Sequence, residues 1–271
     1  MAVNTTSSIP PVRRGAEPFL LDGQGEQGDV GCVCVHGFTA SPEEMRWLGE
    51  HLNERGLTVY APRLAGHGLT PDRMRTQHWL DWYDNVRDGV LLLRQRCRKV
   101  FAVGLSMGGL LSLRVAAAGL VDGAVVIAAP LYVDNPLMPY ARFIKYVRRF
   151  IAINPGDLDA RVRDIQRAMG RDDYGRVAYD DVRPTASAAQ LYDLMQEVRA
   201  HLGEITVPLQ LIYSRADQTV PFENMKQVAD GVRSTDLVQH VLERSDHVVT
   251  QEIEREAAYA LVWQFLSERL S

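Results

Sequence analysis

A serine with glycines two residues to either side, in Gly104-Leu105-Ser106-Met107-Gly108-Gly109, directly follows the apolar run Val100 to Val103 and precedes a stretch rich in Leu and Ala. Glycines at those places remove side chains that would collide in a sharp strand-to-helix turn, so the Ser106 hydroxyl is expected to stand exposed. A serine hydroxyl is a weak nucleophile at neutral pH and needs a base within hydrogen-bond reach, held in turn by a third group. The chain has seven histidines. His51, His78, His201 and His240 fall in or at the ends of predicted elements, and His67 lies in a Gly66-His67-Gly68 loop with no evident partner. His247 differs, because it connects the last predicted strand to the last helix at the edge that displays Ser106. Asp217, four residues past Tyr213, is the favoured orienting acid, with Asp246 and Glu223 as alternatives. Asp246 adjoins His247 in the chain and is badly placed to hold the imidazole from behind.

Attack on a carbonyl also needs donors for the oxyanion that forms. The backbone N–H of Met107, next to the nucleophile and at a helix start, is one expected donor. The second is expected after the run Gly31 to Val35, where the sequence reads His36-Gly37-Phe38-Thr39. There Phe38 would donate its N–H while its ring walls the substrate pocket, and His36 would fix the loop. The glycines do not form a nucleotide loop, since neither the Lys-Ser/Thr nor the G-x-G-x-x-G spacing is present. No H-E-x-x-H, C-x-x-C or carboxylate-histidine cluster has metal-ligand spacing, so neither a metal nor a cofactor is expected.

Strands are predicted at Gly31 to Val35, Leu57 to Tyr60, Val100 to Val103, Ala124 to Ala128, Leu209 to Tyr213 and Leu237 to Leu242. Helices alternate with them, the first opened by the capping-box pattern Ser41-Pro42-Glu43-Glu44. Another runs from Gln77 to Arg96, with Trp79, Leu80, Trp82, Tyr83, Val86, Val90 and Leu93 on or near one face. Parallel neighbours need crossover helices, and strands apolar throughout are buried on both faces, so the class is α/β with a mostly parallel central sheet. From Pro130 to about Glu204 the alternation stops and only helix-like stretches remain, broken at Asn154-Pro155-Gly156 and Arg183-Pro184, a helical lid insertion over the carboxyl ends of the strands, where such folds bind ligands. The expected division is a core at 1–129, a lid at 130–204 and the rest of the core at 205–271, with a loose arm over the first dozen residues.

Within the lid, Phe143, Ile144, Val147, Phe150 and Ile151 recur at helical spacing between Tyr140 and Ile153, while Arg142, Lys145, Arg148 and Arg149 supply positive charge. That segment reads as a helix whose apolar side, Phe143 and Val147 included, roofs the substrate. Its other reading is a helix resting on anionic lipid surfaces.

These residues together carry a resemblance. From about residue 28 onward the chain resembles the α/β-hydrolase superfamily, in which the nucleophile, acid and base follow the order Ser106, Asp217, His247. His36-Gly37-Phe38, Gly66-His67-Gly68 and the Ser106 turn look like those of bacterial carboxylesterases and monoacylglycerol lipases. The resemblance implies hydrolysis of short- to medium-chain esters or monoacylglycerols through an acyl-enzyme, without a cofactor. The same triad could serve an acyltransferase, perhydrolase or peptidase, or stand idle in a ligand receptor.

Composition bounds the rest. The 271 residues are 46% hydrophobic with a formal charge of −4, enough for a self-sufficient core and no field for nucleic acid. Cys32, Cys34 and Cys97, an odd count, read as buried free thiols. Without a signal-like start or a long apolar run, a cytoplasmic location is expected.

Overall fold

The computed structural model describes residues 11–152, 157–170 and 182–270. Most of the expected arm therefore lies outside the described residues. The chain runs β1 (Phe19–Leu21), β2 (Val30–Val35), α1 (Glu43–Asn53), β3 (Thr58–Ala61), α2 (Pro71–Met74), α3 (Trp79–Arg94), β4 (Lys99–Leu105), α4 (Met107–Ala117) and β5 (Gly123–Ile127). It continues with α5 (Ala141–Ile144), β6 (Phe150–Ala152), α6 (Asp157–Ala168), β7 (Val182–Pro184), α7 (Thr185–His201), β8 (Leu209–Ser214), α8 (Asn224–Gly231), β9 (Leu237–Leu242) and α9 (Arg255–Ser267).

The main sheet has the order β1-β3-β2-β4-β5-β8-β9, parallel except for β1, which pairs antiparallel with β3. This is the α/β class with a mostly parallel sheet expected from the alternation, and it agrees with the α/β-hydrolase fold that the resemblance implies. Strand β1 is absent from the sequence reading because three residues are too few to show a period. Alternate residues of β2 face opposite ways: Val33 and Val35 join a core with Trp82 and Val86 of α3, whereas Cys32 and Cys34 join one with Met45 and Leu48 of α1 and Phe265 of α9. Of the α3 face, Trp82, Val86, Val90 and Leu93 are buried as expected, but Leu80 is exposed. The three cysteines are free and buried.

Register fixes where the site can be. Val35 pairs with Gly104, Leu105 with Ile127, Ile127 with Ile212 and Ser214 with Leu242. The loops after β2, β4, β8 and β9 therefore emerge at one carboxyl edge.

Between β5 and β8 two expectations are corrected. The segment 140–153 is not one helix: α5 ends at Ile144, the chain turns, and Phe150–Ala152 pairs antiparallel with Val182–Pro184. The apolar spacing there fits either period over so short a run, and Val, Phe and Ile favour extended backbone. A strand pair thus stands where none was expected, anchored by Thr185 N–H donating to the Arg149 carbonyl at 3.1 Å. The proposed break at Asn154-Pro155-Gly156 lies outside the described residues. Helix α7 packs Leu191, Leu194, Met195 and Val198 into the core on the Trp82 side, and Val162 of α6 packs in the cluster that holds Val248 and Val249.

Candidate active site

Ser106 sits between β4 and α4 with φ 57° and ψ −120°. A non-glycine residue held there stores on the order of 1–3 kcal/mol of backbone strain. The flanking glycines make the turn feasible: a Cβ on Gly104 would lie 2.1 Å from the Gly108 carbonyl oxygen, and one on Gly108 2.0 Å from that of Val35. Both are impossible contacts, so G-x-S-x-G is a steric requirement of strand β4 crossing so close to α4 and β2.

His247 lies five residues past β9 and Asp217 three past β8. The His247 Nδ1–H donates to Asp217 Oδ2 at 2.8 Å, which leaves Nε2 as the basic nitrogen. Asp217 is nearly enclosed, its side chain 1% exposed against 12% for His247. Burial opposes its ionisation, but the His247 charge and hydrogen bond, with N–H donors from Thr219 and Val220, outweigh it and hold the carboxyl below its ordinary value. The sequence left two other acids open. Asp246 instead accepts the backbone N–H of Gln218 at 3.0 Å and of His247 at 2.7 Å, tying the acid loop to the base loop. Glu223 begins the turn into α8.

Met107 is the first residue of α4, where backbone N–H groups lack intrahelical acceptors. Phe38 follows β2, and its loop approaches the nucleophile: a Cβ on Gly37 would lie 3.4 Å from Ser106 Cβ. Among the described residues neither the Phe38 nor the Met107 N–H has an acceptor. The half-buried Phe38 ring packs edge-on against Trp82 and His67, with centroids 6.0 and 6.4 Å away. His36 is fully buried; its Nδ1–H donates to the Gly37 carbonyl at 2.9 Å and its Nε2 accepts the Leu64 N–H at 3.2 Å. Burial, then the nearby His67, drive its pKa well down. The apolar lid residues are placed differently from expectation. Phe143, within α5, and Val147, beyond its end at Ile144, are 60% and 87% exposed, so neither is enclosed as a pocket wall.

Asn224 escaped the sequence reading. Fully buried at the start of α8, it accepts from the N–H groups of Leu131 and Tyr132 at 2.7 and 2.9 Å and donates to the Tyr132 carbonyl at 3.1 Å. It thereby pins the start of the insertion at the carboxyl edge. Its only sequence signal is an asparagine soon after Pro221, which is no more than a turn mark. Among the described residues no three metal-ligating side chains come together.

Residues 29–254 match the model of a family described as serine aminopeptidase, S33. The chain belongs to this serine-hydrolase family. Of curated relatives, a thermostable monoacylglycerol lipase of Bacillus sp. (strain H-257) is 35% identical over 89% of this chain and 90% of its own length. A carboxylesterase of Bacillus subtilis (strain 168) is 28% identical over 93% and 96%. Among solved structures, one from work on LipS and LipT, two metagenome-derived lipolytic enzymes, superposes with a TM-score of 0.84 at 29% identity over 95% of this chain and 100% of that one. The monoacylglycerol lipase of Paleococcus ferrophilus, at 21% identity, has a TM-score of 0.75 over 93% and 98% and shares the fold. This serine hydrolase is a carboxylic ester hydrolase.

Proposed function

We propose that the protein hydrolyses monoacylglycerols and other esters of short to medium acyl chains, with Ser106 as nucleophile, His247 as base and Asp217 as its orienting acid. The observation that carries this is the His247 Nδ1–Asp217 hydrogen bond of 2.8 Å at the edge where the strained Ser106 turn emerges. In this reading His247 Nε2 takes the Ser106 proton as the hydroxyl attacks the ester carbonyl. The Phe38 and Met107 N–H groups hold the oxyanion, and protonated His247 hands its proton to the departing alcohol. Water, deprotonated by the same nitrogen, then frees the acid. Substrate class is supported by the monoacylglycerol lipase relative. Rates compared across p-nitrophenyl esters of increasing chain length and across 1-monoacylglycerols test it; preference for a longest acyl chain, or no turnover of monoacylglycerols, would overturn the substrate assignment.

The exposed insertion surface favours contact with aggregated lipid. Among the described residues, every large apolar side chain more than half exposed, namely Leu137, Tyr140, Phe143, Tyr146 and Val147, falls in one short segment. Arg142, Lys145 and Arg148 are interleaved with them and have no acidic partner among the described residues, while Arg149 pairs with Asp72. Aromatic and basic side chains in that mixture suit an anionic interface. Flotation with anionic vesicles should carry the protein upward and zwitterionic vesicles should not; equal or absent binding removes this role. No helix among the described residues is long and apolar enough to cross a membrane, and the three buried free thiols support a cytoplasmic setting.

A further inference from the structure

Gly37 precedes the Phe38 donor, and the backbone is held on both of its sides. Its carbonyl accepts the His36 Nδ1–H at 2.9 Å and the Ala40 N–H at 3.3 Å. A peptide unit is planar and trans, so fixing that carbonyl aims the Phe38 N–H the opposite way. On the other side the Gly37 N–H donates to Glu44 Oε2 at 2.6 Å. One oxygen of the Glu44 carboxylate thus reaches out of its own helix to the donor loop. Glu44 is 4% exposed, and burying a carboxylate is costly unless hydrogen bonds compensate. Its place in the first turn of α1 favours negative charge.

The same residue is tied to the base loop. Its backbone carbonyl accepts from Thr250 Oγ1 at 2.7 Å, and the Thr250 carbonyl accepts from the Tyr259 hydroxyl at 2.5 Å. Thr250 lies three residues beyond His247. One residue of α1 therefore joins the loop carrying the oxyanion donor to the loop carrying the base. Glycine has more backbone freedom than any other residue, so Gly37 is where the donor loop would otherwise swing.

We propose that Glu44 is a positioning residue for the oxyanion hole, locking Gly37 so that the Phe38 N–H points at the developing oxyanion. This rests on the reading of Phe38 as a donor. Glu44 stands one peptide away from the donor, and its effect on the oxyanion runs through the Gly37 N–H that it accepts. Its job is to accept a hydrogen bond, and a glutamine does the same without charge.

The test compares Glu44→Ala and Glu44→Gln with wild type by steady-state kinetics on a p-nitrophenyl ester and by inhibition with an alkyl trifluoromethyl ketone. The hemiketal oxyanion of that inhibitor occupies the hole. Melting temperatures establish that each variant is folded at the assay temperature; if Glu44→Ala does not fold, Glu44→Met, which fills the volume without an acceptor, replaces it. The expected result is a kcat lower by about tenfold or more in the acceptor-less variant with KM little changed, a matching loss of ketone affinity, and near wild-type values for Glu44→Gln. Wild-type kcat in a folded acceptor-less variant overturns the proposal. So does an equal loss in Glu44→Gln, or a loss confined to KM. Tight ketone binding that the acceptor-less variant leaves unchanged overturns this proposal alone, whereas absence of ketone binding in the wild type overturns the oxyanion reading and this proposal with it.

Discussion

Each residue proposed for the chemistry is held by neighbours that cannot be exchanged freely. Asp217 is fixed from behind by Thr219 and Val220 N–H groups, so its free oxygen faces His247 without a search of rotamers. Ser106→Ala should lower ester hydrolysis by about a thousandfold or more while leaving the melting temperature near that of wild type. Wild-type turnover of a p-nitrophenyl ester by that variant would remove Ser106 as nucleophile. Asn224→Ala strands the buried N–H of Leu131 and the part-buried N–H of Tyr132, and a buried donor left unpaired costs about 1–3 kcal/mol. Urea unfolding should therefore show a loss of several kcal/mol at unchanged m-value; a loss near zero would mean that water satisfies both groups. The nucleophile turn was legible because its glycines are local to it in sequence. Asn224 and Glu44 were not, because what gives them meaning is a partner distant in the chain or across a loop, and a single sequence does not state partners.

Elements show the same division. Strands buried on both faces, such as β2 and β4, announce themselves as unbroken apolar runs, and their alternation with helices fixes a parallel sheet. The insertion was misread where it is most exposed: around Phe143 and Ile151 no buried face constrains the period, so a strand and a helix leave similar patterns. Close approach between elements is the other feature hidden from a linear reading. At Gly108, α4 meets the end of β2, and a methyl group would sit 2.0 Å from the Val35 carbonyl oxygen. Gly108→Ala should thus force α4 off the sheet at a cost of about 3 kcal/mol or more, with activity falling alongside because Met107 and Ser106 move with the helix. Unfolding curves and kcat measured together check this; a stable variant of normal activity would show that the helix can shift.

For the molecule as a whole, buried titratable groups set a stability profile with pH. His67 is fully buried with its pKa lowered to about 4 from 6.5, mainly by burial. The unfolded chain binds a proton there below about pH 6.5 while the folded protein does not, so stability is complete above that pH and falls as pH drops toward 4, by about 1.4 kcal/mol per unit. His36, shifted in the same direction, adds to the slope. Asp217, lowered from 3.8, contributes stability above that value which disappears as pH falls through its lower folded pKa. Chemical denaturation between pH 7 and 4.5 should show this decline, and a flat profile would mean that His67 is hydrated in solution.

The Ser106 turn has a consequence for how such a protein could be improved. Glycine adopts φ near 57° at no steric cost, so Ser106→Gly should raise the melting temperature of a protein it inactivates. A library selected for heat resistance alone would then enrich dead enzymes at that codon, and any thermostabilisation campaign has to screen for turnover in the same round.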